Sequence, residues 1–172
     1  AYVALRQGDA VGLATFGHPY PRVLPAGKSL NTVQALMNTV FDLEPSLQVP
    51  DYLAALENLA RHLRKRALVV LVSNLRDEDD ETLLPAVKSL RRRHAVTVAS
   101  LREPVLDELL DAPVSDFDAA LTRAAGLDYL RARQRQLALL RHDGVQILDV
   151  APRDLPVALI NHYWSRKRAG AL

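Results

Sequence analysis

Apolar positions in this chain fall into short unbroken runs separated by stretches with helical spacing. The run at 67–74, ALVVLVSN, is rich in Val and Leu. It predicts a strand buried on both faces of a parallel sheet. Residues 95–101 (AVTVASL), 145–150 (VQILDV) and 9–16 (DAVGLATF) predict three more strands. Residues 22–24 predict a short edge strand, because Pro19, Pro21 and Pro25 restrict its pairing. Residues 1–7 read as the end of a helix stopped by Gly8. Apolar residues at 30, 33, 36, 37 and 40 predict a helix over 29–43. Asp51 is placed to N-cap a second helix running to about Lys65, with Leu53, Leu56, Leu59, Ala60 and Leu63 on one face.

Residues 79–93 predict a helix with acids in its first turn and arginines in its last, as the helix dipole favours. Pro85 stands near enough to its start to be tolerated. A short helix is expected at 104–110. A long one is expected from Asp116 to about His142, capped by Ser115 and ended by Gly144. The last, 155–167, places Leu155, Leu159, His162 and Tyr163 near one face. Strands alternating with helices indicate one α/β domain over 1–172. Open sheets of this class place ligands at the carboxyl ends of their strands. Ser73, Asn74 and Asp77 follow the most apolar run and are candidates on that ground.

Composition narrows the chemistry. No apolar run approaches the length that crosses a bilayer, and no signal-peptide pattern is recognisable. The absence of cysteine removes disulfides, thiolate metal sites and cysteine nucleophiles, which fits a reducing compartment and a cytoplasmic location. The net charge is +2, and the arginines cluster at helix ends without interleaved aromatics. Nucleic acid is therefore not an expected partner.

The motifs that would signal catalysis fail on their spacing. Gly27, Lys28 and Ser29 look like the end of a phosphate loop, but the glycine needed five positions earlier is Arg22. Ser29 as the N-cap of the next helix accounts for the triplet. No G-x-S-x-G elbow is present. The histidines at 18, 62, 94, 142 and 162 lack metal-ligand spacing and read as solvated or capping residues. The acids at 77–81 suit a helix N-terminus better than a cation loop. A metal-dependent hydrolase built on the acidic loop 76–81 is the alternative from another class. Its only donors would be Asp51 and Asp77, with no general base beside them. No catalytic residue, cofactor or metal is assigned, and the chain reads as a non-enzyme.

Five segments carry a resemblance: LRQGDAVGLATF (5–16), DYLAAL (51–56), RALVVLVSNL (66–75), RRRHAVTVASL (91–101) and DVAPRDLPVALINHYWSRK (149–167). In order and spacing they resemble the C-terminal, von Willebrand factor A-like part of the bacterial domain of unknown function 58 family. The resemblance implies a Rossmann-like, mostly parallel sheet flanked by helices, in strand order 3-2-1-4-5-6. It also implies a metal-ion-dependent adhesion site made of a D-x-S-x-S loop, a Thr and an Asp. By that mapping the chain begins after the first segment, and 1–172 is one domain lacking its first, central strand. The Thr position falls at Pro50 and the Asp position at Asn74. Proline has no side-chain oxygen and Asn offers a neutral one, so the site is expected to be degenerate.

Two strands would then each lose a neighbour. They are expected to pair directly or to dimerise through the gap. The resemblance further implies a non-catalytic protein-interaction domain that works with a MoxR-type AAA+ ATPase in assembly or maturation of other proteins. A purely structural role in a protein tethered to the membrane by a preceding segment is a further alternative. The contact face is expected at Asp51, Ser73, Asn74, Asp77 and Asp79, and Arg131, Arg133, Arg135 and Arg141 are expected on the exposed side of the long helix.

Overall fold

The computed structural model describes residues 1–18, 20–44, 49–75 and 80–170. The elements run α1 (Tyr2–Arg6), β1 (Val11–Ala14), β2 (Val23–Gly27), α2 (Asn31–Val40), α3 (Tyr52–His62), β3 (Leu68–Ser73), α4 (Asp80–Arg91), β4 (Ala95–Leu101), α5 (Pro104–Asp111), α6 (Phe117–His142), β5 (Gln146–Val150) and α7 (Leu155–Arg168). A 3-10 turn at Pro152–Asp154 leads into α7. Every predicted element is present. The caps differ by one residue in two places. Asp116, not Ser115, caps α6 through a 2.8 Å bond from the Ala119 amide, and Ser115 Oγ donates to that carboxylate. Leu30, not Ser29, is the N-cap position of α2, and Ser29 Oγ accepts from the Asn31 amide instead.

The strands form two sheets. β3, β4 and β5 are parallel in that order, in continuous register from Leu68↔Ala95 to Leu101↔Val150. β1 and β2 are an antiparallel pair with an irregularity between Val11 and Leu13. Gly12 stands at that irregularity, where a Cβ would lie 2.7 Å from the Leu24 carbonyl oxygen. The expected direct pairing of residues 9–16 with 67–73 does not occur. Among the described residues β1 bonds only β2 and β3 bonds only β4. Side chains tie the β1 segment to the helices around the larger sheet. Phe16 packs against Tyr52 of α3 with ring centroids 5.3 Å apart and the rings tilted at 51°. Asp9 receives hydrogen bonds from Tyr163 and Lys167 of α7.

The main core lies on one face of the three-stranded sheet. Val69, Leu71, Val96 and Val98 meet Tyr52 and Leu56 of α3, Leu83, Val87 and Leu90 of α4, and Leu137 and Leu140 of α6. α7 covers the other face at β4, where His162 Nε2 and Thr97 Oγ1 share a 2.7 Å hydrogen bond. This placement corrects the expectation for β3. Only its alternate residues Val69 and Leu71 are buried, and Val72 is 39 % exposed. The strand buried on both faces is β4, whose residues from Ala95 to Ser100 are all buried. Among the described residues no helix is long and apolar enough to cross a membrane.

Two histidines expected in solvent are not there. His94 is buried at the entry to β4, and burial followed by the Arg93 charge pushes its pKa down. His162 is lowered for the same reason, burial first and Arg166 second.

Candidate functional site

Residues paired across neighbouring strands point to the same face of a sheet. Register aligns Ser73, Ser100 and Asp149 in one row near the carboxyl edge, facing α3 and α6. Each is held from below. The Tyr52 hydroxyl, at the start of α3, shares a 2.8 Å hydrogen bond with Ser73 Oγ. Arg133 Nη2, from α6, donates to Ser100 Oγ at 2.6 Å and to Asp149 Oδ1 at 2.7 Å. The Arg133 side chain is 6 % exposed and that of Asp149 is 30 % exposed.

Above this row the side chains are open. Asn74 follows β3 and Glu103 follows β4, so strand adjacency brings their side chains together. Asn74 Nδ2 donates to Glu103 Oε1 at 3.1 Å, and the pair is exposed. Asp51 is exposed at the N-terminus of α3, where its Oδ1 accepts from the Ala54 amide at 2.9 Å. Among the described residues the edge therefore presents the carboxylates of Asp51 and Glu103 and the amide of Asn74. It offers hydrogen-bond donors and acceptors to a partner. Among the described residues it brings no hydroxyl against a histidine: Ser73 meets a tyrosine, Ser100 meets an arginine, and His162 lies on the other face of the sheet.

A protein-family model described as "Protein of unknown function DUF58" matches residues 1–149. The chain belongs to the DUF58 family. No curated protein and no solved structure matches it.

Of the five site residues expected in this DUF58 chain, Asp51, Ser73 and Asn74 lie at one edge. Asp77 and Asp79 fall outside the described residues, as does the acidic loop at 76–79. Ser73 is not a free contact residue; it is an anchor for Tyr52. Among the described residues, the mapped positions supply poor donors for the adhesion-site cation that the resemblance implies. Asp51 is engaged in capping, Asn74 is neutral, and position 50 is proline. Among the described residues no three His, Cys, Asp or Glu side chains converge.

Arg133 is a correction. It was expected on the exposed side of the long helix and is instead buried in the polar row. Its spacing to Leu137 and Leu140, four and seven residues on, places it on the inward face, and that signal was in the sequence. Glu103 and Tyr52 had no comparable signal, since each gains its role from a residue more than twenty positions away.

Proposed function

We propose that this DUF58 chain is a non-catalytic protein-interaction domain of von Willebrand factor A-like architecture. Its carboxyl edge contacts a MoxR-type AAA+ ATPase during assembly or maturation of other proteins. Strand order supports this reading: β1 pairs β2 antiparallel, and β3, β4 and β5 are parallel in that order, the pairings left in the order 3-2-1-4-5-6 when its first strand is taken away. The observation that carries the contact face is the exposed Asn74–Glu103 pair beside the exposed Asp51. Groups of this kind at strand-end loops on a stiff sheet suit recognition of a partner's polar side chains.

The test is affinity capture from lysate of the source cell with the full-length protein, with and without ATP, read by mass spectrometry. The expected result is an AAA+ ATPase whose recovery depends on ATP and falls in Asn74→Ala and Asp51→Ala. Recovery of that ATPase unchanged by either substitution would overturn the contact face. Capture without any ATPase would overturn the partner.

A further inference from the structure

In a parallel sheet joined by helices, each connecting helix ends at the amino edge of the strand it feeds. α3 leads into β3, α4 into β4 and α6 into β5. α7 ends at the same edge. Its His162 bonds Thr97, the third residue of β4, and its Lys167, five positions further along, bonds Asp9 ahead of β1. Every one of these helix ends is cationic: residues 64–66, 91–93, 141 and 166–168 are all Lys or Arg.

The helix dipole explains only part of this, since its effect fades beyond the last turn. α3 ends at His62 and α4 at Arg91. Arg64, Lys65, Arg66, Arg92 and Arg93 therefore stand outside the helices, in the short connections into β3 and β4. All five are exposed. Among the described residues none of them pairs with a carboxylate. The carboxylates of Asp9 and Asp143, near the same edge, are already engaged by Lys167 and Lys88. The opposite edge is mixed in charge, with exposed Asp51 and half-buried Glu103 beside exposed Arg102 and Arg153.

We propose that the amino edge docks on the surface of an anionic phospholipid bilayer, through the cations at 64–66, 92 and 93. These charges come from separate elements laid side by side across the sheet, so they spread over a plane, as lipid phosphates do. A nucleic acid would call for a stripe along a groove or for stacking aromatics. The two connections contain no Phe, Trp or Tyr.

Each Lys or Arg close to an anionic membrane contributes about fivefold in binding, the equivalent of about 1 kcal/mol. The test is co-sedimentation of the protein with phosphatidylcholine vesicles and with vesicles that also contain phosphatidylglycerol. Binding is expected only to the second kind, and to weaken as salt rises. Arg92→Gln/Arg93→Gln is expected to lose about 25-fold in affinity with unchanged thermal unfolding. Arg131→Gln/Arg135→Gln, which removes the same charge from α6, is expected to bind as the unsubstituted protein does. Equal binding to both vesicles, an equal loss in the α6 variant, or tighter binding to duplex DNA than to the anionic vesicles would each overturn the proposal.

Discussion

Replacing Asp149 with alanine takes away the carboxylate of the buried Arg133 guanidinium and leaves it the hydrogen bond to Ser100 Oγ. Breaking a buried ion pair by removing one partner costs about 3 to 5 kcal/mol, because the surviving charge keeps its desolvation penalty. Asp149 is 30 % exposed, so water can reach part of the vacated position, which sets the expectation at the low end. A loss of about 3 kcal/mol corresponds to a melting temperature lower by about 6 to 12 °C for a chain of this length. Arg133→Met/Asp149→Leu removes both charges while keeping side-chain bulk. It should recover most of the loss, apart from about 1 kcal/mol for the Ser100 hydroxyl left without its donor. Urea unfolding of the unsubstituted protein, Arg133→Met, Asp149→Leu and the double variant, followed by far-ultraviolet circular dichroism, supplies the double-mutant cycle. The reasoning fails if Asp149→Ala is within about 0.5 kcal/mol of the unsubstituted protein, or if the two substitutions simply add.

The clamp between α7 and the start of β1 predicts an acid limb. Hydrogen bonds from Lys167, then from Tyr163, hold the Asp9 carboxyl below its ordinary range. The stability this contributes is present above the unfolded value near 3.8 and is lost as pH falls through the lower folded value. Asp9→Asn should flatten the fall of melting temperature in that window, and an unchanged acid limb would refute the clamp. The unpaired edges of β1 and β3 predict that the 172-residue chain dimerises as concentration rises. Light scattering after size exclusion should show the dimer, and Val72→Lys on β3 should abolish it. A monomer at every concentration rules out association through these edges.

What was legible at the carboxyl edge was whatever depends on near neighbours in sequence. Asp51 could be read as a helix cap because the bond it makes spans three residues. The roles of Tyr52, Glu103 and Arg133 rest on partners 21, 29 and 33 positions away, and only Arg133 left a trace, in its helical spacing to Leu137 and Leu140. Treating that arginine as solvated followed from residue type alone. The geometry inverts this: a guanidinium with two oxygen acceptors in the fold is one of the few cations a core can hold.

The contrast between β3 and β4 shows why hydrophobic runs predict strands better than they predict neighbours. ALVVLVS is the more apolar sequence, yet AVTVASL is the strand covered on both faces. Thr97 and Ser100 are tolerated there because each has a partner, in His162 and in Arg133, supplied by helices that follow much later in the chain. β3 lacks such cover on its second face. Apolar content measures how much burial a segment can accept, whereas the cover it receives is decided by where α7 comes to rest. α7 settles against β4 through Thr97 and against the start of β1 through Asp9, and it leaves Val72 open between them. The same placement accounts for two sheets where the strand count alone suggested one. Tyr163 and Lys167 fix β1 at its amino end, while Phe16 and Tyr52 hold its other end, so the hairpin is positioned by side-chain contacts without a ladder to β3.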